Sequence, residues 1–72
     1  PERARRMGWE GRVILSFTVY ESGQIGDIRL VKSSGFAVLD EGALEGLKKT
    51  RFSKAVPVRL SVVLPVEYRL SN

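Results

Sequence analysis

The sequence predicts an α+β domain: a three-stranded antiparallel sheet in the order 2-1-3, one long helix packed on one face, and a short helix at the amino terminus. Three observations predict it. Arg12 to Tyr20 and Val58 to Leu70 alternate apolar and polar residues with the two-residue period of a strand. Glu-Ser-Gly-Gln at 21–24 is a turn signal, with Gly23 free to take positive φ, so the chain folds back after the first strand. Phe36, Leu39, Ala43, Leu44 and Leu47 recur at spacings of three and four, the mark of an amphipathic helix.

Each element has its own justification. Pro1 to Met7 reads as one or two helical turns, because proline is favoured at a first helical position and Glu2 suits the positive end of the helix dipole. So short a helix must dock, through Ala4 and Met7, and Gly8 or Gly11 ends it. The first strand shows Val13, Leu15, Phe17 and Val19 on one face and Ile14, Ser16, Thr18 and Tyr20 on the other. Ile25 to Lys32 is the return strand. Its alternation is broken, which a bulge at Gly26-Asp27 or partial cover on both faces accounts for. Ser33-Ser34-Gly35 ends it. In the long helix Asp40 and Glu41 come early and Lys48, Lys49 and Arg51 late, the order the dipole favours. Gly42 and Gly46 are poor helix formers and lie on one side, where a close backbone approach is one reading and surface drift another. Phe52 is expected to close the core between helix and sheet.

The connections fix the order. A hairpin makes the first two strands antiparallel neighbours, and the helix carries the chain back so that the third runs parallel to the second. Placed beside strand one, it completes an antiparallel sheet and forms an edge. Val58, Leu60, Val62, Leu64, Val66, Tyr68 and Leu70 then face the core. Pro65 agrees with an edge, since proline has no N–H for a ladder. With Pro65 pointing outward, residues of its parity offer their backbone groups outward too: Arg59, Ser61, Val63, Glu67 and Arg69. These six positions are the candidate site, for capture of a partner strand by β-augmentation. The same edge offers a homodimer.

Composition narrows the function classes. The chain has 72 residues, one domain's worth, with 43% apolar and 28% charged residues. No run of 18 apolar residues exists, and Pro1 in place of an initiator Met predicts a piece of a longer protein. There is no Cys and no His, so zinc-cysteine sites, disulfides and His-based general bases are excluded, and no cofactor or metal is expected. Asp27, Asp40, Glu41 and Glu45 are better read as turn, helix-start and ion-paired residues than as catalytic acids, and Ser33 and Ser34 have no base to activate them. An enzyme is not expected. A net charge of +4 keeps a second class open, a small basic nucleic-acid-binding module using Arg3, Arg5, Arg6, Lys48, Lys49, Arg51, Arg59 and Arg69. Against it, Tyr20 is the only good base-stacking aromatic on the strands. Trp9 covers the sheet edge or closes the core beneath the first helix.

Four segments in this order resemble the carboxy-terminal domain of the TonB family. P-E-R-A-R-R-M-G-W-E-G-R-V resembles its opening helix and strand start; E-S-G-Q-I-G-D-I-R-L-V-K-S-S-G-F resembles its hairpin. L-D-E-G-A-L-E-G-L-K-K-T-R-F resembles its helix, and V-P-V-R-L-S-V-V-L-P-V-E-Y-R-L its final strand. The chain departs from the pattern at Thr50, where a tryptophan is common, and at Gly42 and Gly46, where alanines are. The resemblance implies the periplasmic domain of an energy transducer anchored in the inner membrane. It implies that this domain binds the TonB box, an extended segment of outer-membrane transporters, beside its last strand. It further implies coupling through ExbB and ExbD, by the missing amino-terminal part, to the proton-motive force that drives import of iron chelates, vitamin B12 and similar cargo. Nucleic acid is not among the partners it implies.

Overall fold

The computed structural model describes residues 6–69. Four elements follow one another: β1 (Gly11–Val19), β2 (Ile25–Lys32), α1 (Ala37–Lys48) and β3 (Leu60–Tyr68). The sheet is antiparallel throughout, in the order β2-β1-β3. The expected fold class therefore holds for sheet and long helix. Of the expected amino-terminal helix, residues 1–5, Ala4 included, lie outside the described residues. Arg6 and Met7 are helical, and Gly8 follows at φ 73°. Met7 is 59% exposed, so the docking expected of it does not occur.

β1 is central, paired on both sides, and it is the strand whose inward row is wholly buried. Val13, Leu15 and Val19 are fully buried and Phe17 nearly so. Leu39, Ala43 and Leu47 of α1 close over the sheet. Each fully buried aliphatic side chain contributes about 1.5–3 kcal/mol. The expected bulge is present in β2. Ser16 pairs with Arg29 and Thr18 with Gly26, so Asp27 and Ile28 together oppose Phe17, and Asp27 sits at φ 51°. The extra residue places Ile25 and Ile28 on one face despite their odd spacing, and both pack on the core. A second irregularity follows, where Ile14 pairs with Lys32 and Leu15 with Leu30, leaving Val31 extra and 59% exposed.

The start of α1 is built by Asp40 and the Ser33-Ser34-Gly35 break. Asp40 is buried; Ser33 Oγ donates to its Oδ2, while Ser34 N and Ser34 Oγ donate to its Oδ1 at 2.9 and 2.8 Å. Burial pushes the carboxyl upward, but the three hydrogen bonds outweigh it and hold Asp40 below its ordinary value of 3.8. A carboxyl depressed in the fold adds stability that is complete above its unfolded value and is lost as pH falls through the folded one. Acid unfolding monitored by circular dichroism is therefore expected to steepen below about pH 4. Asp40→Asn should flatten it and cost about 1–2 kcal/mol at neutral pH, because an amide N–H₂ then faces a serine donor. Trp9 stacks on Phe36 just before the helix, centroids 5.1 Å apart at 14°, which places it against the helix start.

Two expectations about the core are corrected. Phe52 is 41% exposed and does not close the core: its backbone N–H is tied to the Gly23 carbonyl at 3.1 Å, which holds the loop after α1 out over the hairpin turn. The inward row of β3 is only half covered. Val62, Val66 and Tyr68 pack against the core, whereas Leu60 and Leu64 are 39% and 37% exposed, and Val58 lies exposed ahead of the strand. The reason is the placement of α1, which packs over β1 and β2 and leaves β3 largely uncapped.

Candidate functional site: the outer edge of β3

The two sheet edges differ. β2 is bulged twice and carries Asp27, Arg29 and Lys32, features that blunt an edge against further pairing. β3 is regular: nine residues pair one for one with β1, from Gly11 opposite Tyr68 to Val19 opposite Leu60, with no register shift. Pro65, opposite Ile14, lies inside that unbroken run. A prolyl nitrogen cannot donate, so an intact ladder there requires its backbone to face away from β1. Residues two apart share this direction, which turns the backbone groups of Ser61, Val63 and Glu67 outward.

The structure places all six sequence-predicted residues on or beside this edge. Ser61, Val63, Pro65 and Glu67 lie in β3 and are exposed, Val63 at 67%. Arg59 and Arg69 flank the strand and are exposed. Arg69 Nη2 meets Glu67 Oε2 at 2.7 Å. Arg59 leans back on the hairpin, with Nε 3.6 Å from Glu21 Oε1 and its guanidinium 4.8 Å above the Tyr20 ring. The Tyr20 hydroxyl in turn donates to Asp27 Oδ2; that bond raises the phenol's pKa and lowers the carboxyl's. The cluster links the residue before β3 to the hairpin of β1 and β2 at the surface. It also occupies the Tyr20 ring, the one aromatic considered for base stacking.

A groove missed by sequence reasoning runs along the helix side of β3. Its volume is about 560 Å³, and its walls include Leu47 and Gly46 of α1, Phe52 of the loop, and Val62, Leu64 and Val66 of β3. Among the described residues that line it, none is charged. Gly46 forms part of the wall, and a Cβ built on it meets nothing within 4 Å. Gly46→Ala is therefore expected to stabilise the domain by up to about 1 kcal/mol, through helix propensity alone. In thermal melts that is a rise of about 4–8 °C for a domain this small.

Residues 1–70 match the family model described as Gram-negative bacterial TonB protein C-terminal. The chain belongs to this family. Protein tonB2 of Pseudomonas aeruginosa is 35% identical to it over 78 residues, and Protein TonB of Helicobacter pylori 34% over 73. Those alignments take in 99% and 100% of this chain but 28% and 26% of the relatives, so it spans little more than a quarter of their length. The solution structure of the H. pylori TonB carboxy-terminal domain superposes with a TM-score of 0.82 at 33% identity, covering all of this chain and 68% of that one. Relative to the family pattern quoted above, the departures at Gly42, Gly46 and Thr50 are not scattered. All three line the groove of this TonB domain, and the Thr50 hydroxyl donates back to the Gly46 carbonyl at 2.9 Å.

Proposed function

We propose that the domain captures the TonB box of outer-membrane transporters by adding it as a fourth strand along the outer edge of β3. The observation that carries this reading is the contrast between the edges: β2 is bulged and charged, while β3 keeps a straight register with Ser61, Val63 and Glu67 turned outward. Backbone hydrogen bonds supply the affinity in such an addition. Arg59 and Arg69 bracket the strand, and Pro65 interrupts its outward donors, which limits how far a guest zips along it. As part of a longer transducer, anchored in the inner membrane and reaching into the periplasm, the domain would pass work from the proton-motive force through ExbB and ExbD to the transporter. The cargo would be iron chelates, vitamin B12 or similar. A homodimer through β3 competes for the same edge.

The test is a titration of a synthetic TonB-box peptide into isotopically labelled domain. Amide shifts concentrated from Ser61 to Arg69 are expected. Shifts confined to the β2 edge or to α1, with none in that run, would sink the reading.

A further inference from the structure

We infer that the groove between α1 and β3 reads the side chains of the incoming strand, selecting guests whose apolar residues alternate and place one large side chain against Gly46. This rests on strand addition at β3 and specifies the chemistry of the guest. A strand added to β3 lies about 4.8 Å outboard of it, and every second side chain stands on the helix side of the sheet. There it meets the row Leu60, Val62, Leu64, Val66 and Tyr68, of which Leu60 and Leu64 are more than a third exposed in the free domain. Among the described residues the lining of the groove behind this row is apolar but for Thr50 and the Tyr68 hydroxyl, and it holds no charge, so an ionised side chain that loses water on entering finds no counter-charge there. Its volume falls within the roughly 300–1,000 Å³ of ligand pockets. The open space over Gly46, with Phe52 held half exposed by its backbone bond to Gly23, leaves room for a side chain the size of leucine or phenylalanine.

The opposite sheet face makes a different demand. There an added strand meets Ser61, Val63 and Glu67, and beyond them Ser16 and Thr18, a mixed surface that accepts polar side chains. The guest is therefore two-faced, apolar toward the helix and polar away from it.

The experiment uses two acetylated, amidated heptapeptides of one composition: T-V-S-L-T-V-S, whose apolar residues alternate, and T-S-V-L-V-T-S, whose apolar residues are contiguous. Each is titrated into the labelled domain and into Gly46→Leu, which fills the groove from a position with free space around it. The alternating peptide is expected to bind about tenfold tighter, the equivalent of seating one further aliphatic side chain. Its shifts should extend from Ser61–Glu67 to Gly46, Leu47 and Phe52. Gly46→Leu should abolish the advantage and leave the contiguous peptide unchanged. Equal affinities, or an advantage that survives Gly46→Leu, overturn the inference while leaving strand addition intact. Absence of shifts along Ser61–Glu67 with either peptide overturns both. Concentration-dependent shifts at Leu64 and Phe52 without peptide assign the groove to a second copy and also overturn it.

Discussion

Gly23→Ala is expected to lower the melting temperature by about 10–20 °C, the equivalent of about 2–3 kcal/mol in a domain of this size. Two independent effects add. Gly23 sits at φ 90°, a conformation that L side chains rarely adopt. A Cβ there would also lie 2.6 Å from the Phe52 carbonyl oxygen and 3.1 Å from that of Lys54, both backbone atoms that cannot swing away. The turn is a junction as well as a reversal. Tyr20 N bonds the Gln24 carbonyl at 2.9 Å and Gly23 N bonds Tyr20 O at 2.8 Å, which closes the hairpin. Phe52 N to Gly23 O and Val56 N to Glu21 O, both 3.1 Å, then moor the loop leading to β3. Displacing that loop shifts the start of β3 and Phe52 at once. With total stability of order 5–15 kcal/mol for small domains, the loss is a large fraction. A melting temperature within 3 °C of the parent would show that the loop yields, and that the turn does not depend on it.

Much of this was legible in the residues, because period is a strong signal where one face is buried. The alternation in β1 and β3 and the three-and-four spacing of α1 led to the correct sheet order, and Pro65 marked β3 as an edge. The bulge at Gly26-Asp27 was legible as a fault in alternation, although only the structure shows that it brings Ile25 and Ile28 to one face. What alternation cannot convey is how far a helix reaches across a sheet. It reports that Leu60 and Leu64 share a face with Val62, not that α1 stops short of them. Phe52 departs from its expected place for a related reason. A large aromatic beside a helix end reads as core, but its place is set by a backbone bond to Gly23 that no side-chain pattern encodes. Asp40 is recognisable as a helix-start residue, yet its three donors come from the Ser33-Ser34 break, which by sequence reads only as a strand terminator. The edge site depended on one residue with no N–H. The groove had no comparable marker.

Val62→Pro and Val63→Pro are expected to separate stability from capture, although the two positions are adjacent and carry the same side chain. Val62 pairs with Phe17 in the centre of the β1 ladder, and by the parity that Pro65 sets its N–H points toward β1. Proline there removes a ladder bond and forces its ring against β1. The expected cost is about 3 kcal/mol or more, a large fraction of the total stability of a small domain. Val63 pairs with Ser16, two residues from Pro65, so its N–H points outward and no intramolecular bond is lost. Val63→Pro should therefore melt within about 1 kcal/mol of the parent. Its effect falls on the guest: the edge loses an outward donor, and a second pyrrolidine ring, next to the one at Pro65, stands where an added strand must approach. Each lost backbone bond is worth about 0.5–1.5 kcal/mol, so together with the steric barrier the affinity for a TonB-box peptide should fall by tenfold or more. Paired thermal melts and calorimetric titrations decide it. If Val63→Pro destabilises as much as Val62→Pro, the parity assigned from Pro65 is wrong. If Val63→Pro folds and still binds at parental affinity, the guest does not pair along the Ser61–Glu67 edge.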